Sequence, residues 1–271
     1  MRNSGDRYLV RPGTHVRLDR WPTDAPSHAR GPKDEGRKEL EKLKQRLDPL
    51  QELLYADRSR AVLIVLQGMD SAGKDGTIRR VFEGVNPQGV RVASFKQPSP
   101  VELAHDFLWR IHPHTPPRGE ITIFNRSHYE DVLITRVHGR IARDVWERRY
   151  AEINEFERTL TEEGTVVLKF FLHIGRDEQK VRLTERLKDP TKHWKFREGD
   201  LQERKLWPGY REAYEEALTK TSTRWAPWYI VPADRRWFRD LLVCRRLVRT
   251  LAGLRLHYPP LLPELRGSRI A

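Results

Sequence analysis

The chain has 271 residues, 38% of them hydrophobic, with eight Trp, nine Phe and one cysteine, Cys244. That suits a single large domain with appendages, and it excludes a disulfide framework, a membrane-spanning run and an apolar leader, so the chain reads as cytoplasmic. The formal net charge of +13 points to a polyanion, whether nucleic acid, anionic surface or phosphate-rich substrate, unless the charge has no address at all.

Residues 1–36, rich in Pro, Gly, Asp, Arg and His without periodicity, read as an N-terminal arm lying on the surface or partly disordered. Leu40, Leu43, Leu47, Leu50 and Leu54 then recur at helical spacing. They predict an amphipathic helix over 37–57, packed on the domain and kinked or divided at Pro49. From Val62 onward short β-rich runs alternate with helical patterns. The predicted strands are 62–66, 90–95, 121–124, 166–172 and 228–231. The predicted helices lie near 74–84, 100–111, 144–163, 176–188, 201–220 and 234–252. Such alternation gives a mainly parallel sheet covered on both faces, with ligands beyond the carboxyl ends of the strands. Trp225, Trp228 and Trp237 read as core around the last strand, and residues 253–271 as a C-terminal tail.

The run after the first strand is Gly68-Met69-Asp70-Ser71-Ala72-Gly73-Lys74-Asp75-Gly76, with Gly68, Gly73 and Lys74 at Walker A spacing. Its backbone amides, the helix start behind them and the Lys74 ammonium converge on a phosphate. Asp75 stands where most such loops carry the hydroxyl that holds Mg²⁺. It supports the helix dipole and the loop's shape, whereas Asp70 inside the loop reads as a metal ligand or, more blandly, a helix N-cap.

After the third strand comes Phe124-Asn125-Arg126-Ser127-His128-Tyr129-Glu130-Asp131. Asn125 occupies the Walker B position with a neutral carbonyl, a weaker ligand for a hard cation, and Arg126 offers a planar fork to phosphate. Alternatively the segment is a polar turn. After the fourth strand, Arg176, Arg182, Arg186, Lys188, Lys192, Lys195, Arg197, Arg204 and Lys205 crowd into 176–220. That stretch reads as a helical lid closing over phosphates, or as a solvated charged face. The architecture expected is α/β and P-loop kinase-like: three α/β/α layers, a five-stranded mainly parallel sheet and a lid, spanning 37–252.

Five segments together resemble the second family of polyphosphate kinases. They are the loop 68–76, Phe95-Lys96-Gln97-Pro98, 124–131, Asp189-Pro190-Thr191-Lys192-His193-Trp194-Lys195, and Thr221-Ser222-Thr223 with Ala226-Pro227-Trp228-Tyr229. The resemblance implies Mg²⁺-dependent, reversible transfer of the terminal phosphoryl group of inorganic polyphosphate to a nucleotide, with Mn²⁺ as a substitute ion. It implies roles for Asp70, Lys74, Arg126 and Arg186 in catalysis. Gly68, Ser71, Ala72, Gly73, Asp75, Gly76, Asn125 and Glu130 would bind nucleotide phosphates, and Asp70, Asn125 and Glu130 the metal. Many relatives carry Asp at the place of Asn125. The Asn-Arg-Ser-His-Tyr-Glu-Asp version resembles the subgroup that accepts both nucleoside mono- and diphosphates. A homo-dimer or homo-tetramer is implied as well.

A basic track from Arg79, Arg80 and Lys96 to Lys192, Lys195 and Arg204 would carry the polyphosphate chain. The alternatives are an ATP-dependent nucleotide or small-metabolite kinase, and a non-enzymatic nucleic-acid-binding protein. The second lacks any recognition-helix, zinc-finger or aromatic RNA-binding signature.

Overall fold

Strands β1 (Ala61–Gln67), β2 (Val90–Ser94), β3 (Ile121–Asn125), β4 (Thr165–His173) and β5 (Trp228–Pro232) pair in parallel, in the order β2-β3-β1-β4-β5. The computed structural model describes residues 6–26, 33–195 and 198–265. Central β1 is buried at every position, as an apolar run with no polar alternation requires of a strand covered on both faces. The register sets Leu66 against Asn125, so the loops following β1 and β3 leave the sheet side by side. Arg126 N–H donates to the carbonyl of Leu66 (3.2 Å) and fastens them there.

The helices are α1 (Lys33–Asp57), α2 (Lys74–Val81), α3 (Pro100–Leu103), α4 (Ile134–Val137), α5 (Arg143–Glu162), α6 (Arg176–Lys188), α7 (Glu198–Lys205), α8 (Trp207–Thr221) and α9 (Arg236–Gly253). Helices α1 and α2 pack with α9, and α5 packs with α8 and β4, completing the three layers. Leu40, Leu43, Leu47 and Leu54 are buried along α1, as their spacing predicts. The helix runs unbroken through Pro49, which is exposed, as is Gln45, whose carbonyl the missing N–H leaves to water.

Three expectations change. The helix expected over 100–111 is only the four-residue α3, capped by Ser99 and Glu102 in a reciprocal box. Asp106 then takes the N–H groups of Leu108 and Trp109 in a local turn that competes with helix. The helix expected over 201–220 is two, α7 and α8, with Pro208 in the first turn of the second. The N-terminal segment reaches deeper than a surface arm. Tyr8, Val10, Val16, Leu18 and Ala25 are buried, and Leu9 bridges antiparallel to Tyr229. An open β5 edge would leave backbone groups unpaired, and this segment pairs them. Residues 1–5 and 27–32 of that arm, and 266–271 of the tail, lie outside the described residues. Trp228 is core, whereas Trp225 is 40% exposed.

Candidate active site

The chain leaves β1 through two glycine-dependent turns. A Cβ on Gly68 would stand 2.7 Å from the carbonyl of Leu172. At Gly73, φ is +102° and a Cβ would fall 1.9 Å from Arg239 Nη1. No side chain caps α2, so its first amides face outward with Lys74 beside them. Lys74 Nζ folds back to the carbonyl of Gly68 (2.9 Å) across the loop. Burial, then neighbouring Arg126, lower the Lys74 pKa to about 8, against the pull of Asp70, Glu130 and Asp75.

A cleft opens at this point, lined by loop residues Gly68, Met69, Asp70 and Lys74 and by Arg126, Glu130 and Ile134. Gln179 of α6, Glu203 and Arg204 of α7, and Trp207, Tyr210 and Tyr214 of α8 line it as well. Arg126 is held in a left-handed conformation (φ +63°) at the end of β3. Burial opposes its charge, but Glu130, Tyr214 and Asp70 outweigh that effect and raise its pKa. Arg186 Nη1 reaches Asp70 Oδ2 at 3.3 Å, bringing α6 onto the loop. Burial raises the pKa of Tyr214, with Glu130 adding to the effect, so its hydroxyl stays protonated.

The sequence candidates separate into two groups. Asp70, Lys74, Arg126, Glu130 and Arg204 share the cleft wall, with Arg186 bonded to Asp70. Ser71 and Ala72 are buried within the loop, and Asp75 and Gly76 lie exposed on the first turn of α2. Asn125 donates its amide to Asp75 Oδ1 (2.7 Å), joining the Walker B position to the helix start. Of the proposed basic track, Arg204 lines the cleft, with Nη1 on the carbonyl of Arg176 and on Gln179 Oε1. Arg79, Arg80, Lys96 and Lys192 are exposed and outside its wall. Arg80 pairs with Asp240 and Lys192 with Asp189. Arg197 and the side chain of Lys195 lie outside the described residues.

Tyr210 and Tyr214 were missed by sequence reasoning. With Trp207 they fall at i, i+3 and i+7, a one-face signal that was legible along α8. Ile134 and Glu203 carried no such signal.

Acidic groups beside an anion cradle fit a hard divalent cation. Among the described residues, no three His, Cys, Asp or Glu converge to hold a metal by themselves. An ion held there would take one or two carboxylates, with phosphate oxygens and water completing its shell.

Loop amides, a lysine and arginines lie together at the carboxyl end of β1, in a cleft that residues of α6 to α8 also line; the fold is that of a P-loop kinase. The family model for polyphosphate kinase 2 matches residues 30–257. The AMP/ADP-polyphosphate phosphotransferase of Meiothermus ruber is 54% identical over 264 residues, covering 97% of this chain and 98% of that one. The ADP-polyphosphate phosphotransferase of Rhodopseudomonas palustris is 43% identical, over 96% and 94% of the two chains. The crystal structure of polyphosphate kinase 2 from Arthrobacter aurescens TC1 superposes with a TM-score of 0.91 at 43% identity, covering 96% of this chain and 92% of that one. The chain belongs to the polyphosphate kinase 2 family.

Proposed function

We propose that this protein transfers the terminal phosphoryl group of inorganic polyphosphate to AMP and to ADP. The observation that carries the reading is the convergence of Lys74, Arg126 and Arg204 on one cleft with Asp70 and Glu130. The names of the two relatives support the donor and acceptors. The bond from the terminal phosphorus to its bridging oxygen breaks as a bond forms to a terminal phosphate oxygen of the nucleotide, and the shortened chain leaves with the bridging oxygen and its electron pair. Reversal runs through the same steps.

Such transfer needs alignment and positive charge more than covalent help. Lys74 and the α2 amides hold one phosphate group. Arg126 stabilises charge spreading onto the equatorial oxygens, and Arg186 joins it from α6. Asp70, Glu130 and the side-chain carbonyl of Asn125 would hold Mg²⁺, or Mn²⁺ in its place. When bound, that ion would supply positive charge to offset that of the phosphates. Trp207, Tyr210 and Tyr214 form an aromatic wall against which a nucleotide base packs. The reading extends to a cytoplasmic homo-dimer or homo-tetramer, carried by family likeness and checked by sedimentation.

The deciding experiment runs polyphosphate and Mg²⁺ with AMP and with ADP separately, products resolved by chromatography, with ATP as donor in a parallel arm. ADP from AMP and ATP from ADP are the expected products. ATP from ADP alone would cancel the dual-acceptor assignment. Transfer from ATP but not from polyphosphate would overturn the donor.

A further inference from the structure

One stripe of α6 grips the P-loop from beneath. Gln179, Arg182 and Arg186 recur at i, i+3 and i+7 and so share a helix face. Gln179 Nε2 donates to the carbonyl of Asp70 (3.0 Å), and Arg186 Nη1 to the carboxylate of the same residue (3.3 Å). Between them, Arg182 Nη1 donates to the carbonyls of Ser71 (3.1 Å) and Ala72 (3.2 Å). Its Nη2 donates to the carbonyls of Ala233 (2.6 Å) and Asp234 (2.9 Å), just beyond β5, and its Nε to Glu178 Oε1 (2.8 Å). The residue is buried, and a guanidinium has five N–H donors, so each has an acceptor here. A second buried guanidinium, that of Arg239, also reaches the Ala72 carbonyl (3.0 Å).

Peptide geometry gives this grip a consequence. In a trans peptide the C=O and N–H groups point in opposite directions, and no described peptide bond is cis. Two guanidinia draw the Ala72 carbonyl inward and thereby aim the N–H of Gly73 out toward the anion. Ser71 is meanwhile held at φ +62°, a conformation costly for a residue with a Cβ. The bond from Arg182 to its carbonyl offsets that cost.

We propose that Arg182 is a positioning residue for phosphoryl transfer. Its fork sets the P-loop in the shape that receives phosphate and makes the loop and the Arg186-bearing helix one body. Lysine has the charge but not five donors in a plane, so it cannot replace the fork. The role rests on the phosphotransferase reading above.

The experiment compares wild type, Arg182→Lys and Arg182→Ala in polyphosphate-to-ADP transfer, with thermal melts and with guanidinium added at non-denaturing concentration. Arg182→Lys should melt within a few degrees of wild type yet lose about tenfold or more in kcat, the scale of a misaligned anion cradle. Arg182→Ala should regain turnover saturably with guanidinium, at concentrations that leave wild type unchanged. Wild-type kcat in Arg182→Lys would overturn the role. So would activity that falls only in step with melting temperature and is not rescued. If Arg182→Ala does not fold, the lysine variant decides alone. A wild-type protein that transfers no phosphate overturns the activity reading and this role together; an active one with an unimpaired lysine variant overturns the role alone.

Discussion

In the proposed function Lys74 would serve two demands that pull in opposite directions. Phosphate binding needs its charge, while burial and Arg126 lower its pKa to about 8 from the ordinary 10.5. The folded, ligand-free protein therefore sheds this proton above about pH 8, and the unfolded chain keeps it to about 10.5. More protons are then bound unfolded than folded, so between those values this group makes stability rise with pH. Activity and stability should part company: kcat/KM falls above pH 8 while circular dichroism at pH 9 still reports a folded chain. Coincident loss of both would refute the assignment. Lys74→Ala should lower kcat/KM by orders of magnitude with the fold retained. Asp70→Asn tests the metal. It keeps the side chain's shape, removes a charge, and should raise the Mg²⁺ concentration for half-maximal activity by about tenfold or more. An unchanged Mg²⁺ titration would take Asp70 out of the ion's shell. These residues were legible because the loop spacing has few uses. The inward grip of Arg182 and Arg239 was not, since their acceptors are backbone carbonyls brought near only by folding.

Between elements, the tie that matters most is buried. Lys169 of β4 is fully enclosed and donates to Glu157 of α5 (2.5 Å), to the Tyr129 hydroxyl (2.9 Å) and to the carbonyl of Thr221 (2.7 Å) at the end of α8. Tyr129 in turn donates to Glu157 (2.8 Å) and stands next to Glu130 on the segment that follows Arg126. One ion pair thus joins three elements behind the cleft. Burial lowers the Lys169 pKa and acts against the charge of Glu157, but Lys169 and His128 together outweigh it there and the Glu157 pKa is lowered. Lys169→Met would strand the Glu157 charge, and should cost about 3–5 kcal/mol by urea denaturation. Glu157→Gln with Lys169→Met should recover much of that loss; a double variant no more stable than the single one would refute the pairing. At this scale, long periodic or apolar runs such as 37–57 and 166–172 announced themselves. The elements over 100–111 and 201–220 did not, because Asp106 and Pro208 redirect the backbone locally.

Over the whole molecule, a charge of +13 exceeds what a nucleotide calls for. Polyphosphate carries about one negative charge per unit, and binding that releases counterions weakens steeply with salt. The KM for polyphosphate should therefore climb with KCl far more than the KM for AMP, and a salt-insensitive polyphosphate KM would argue against an extended basic track. By itself the sequence determined the class of fold, the parallel pairing implied by alternating elements, the phosphate loop and the family, because each rests on local spacing and composition. Tertiary structure decided which cations share the cleft. It set Arg204 in the cleft and Arg79, Arg80, Lys96 and Lys192 outside its wall, drew the N-terminal segment against β5, and closed two arginines beneath the loop. Those outcomes depend on contacts between residues distant along the chain, and such contacts leave no periodic trace for a reading of spacing to find.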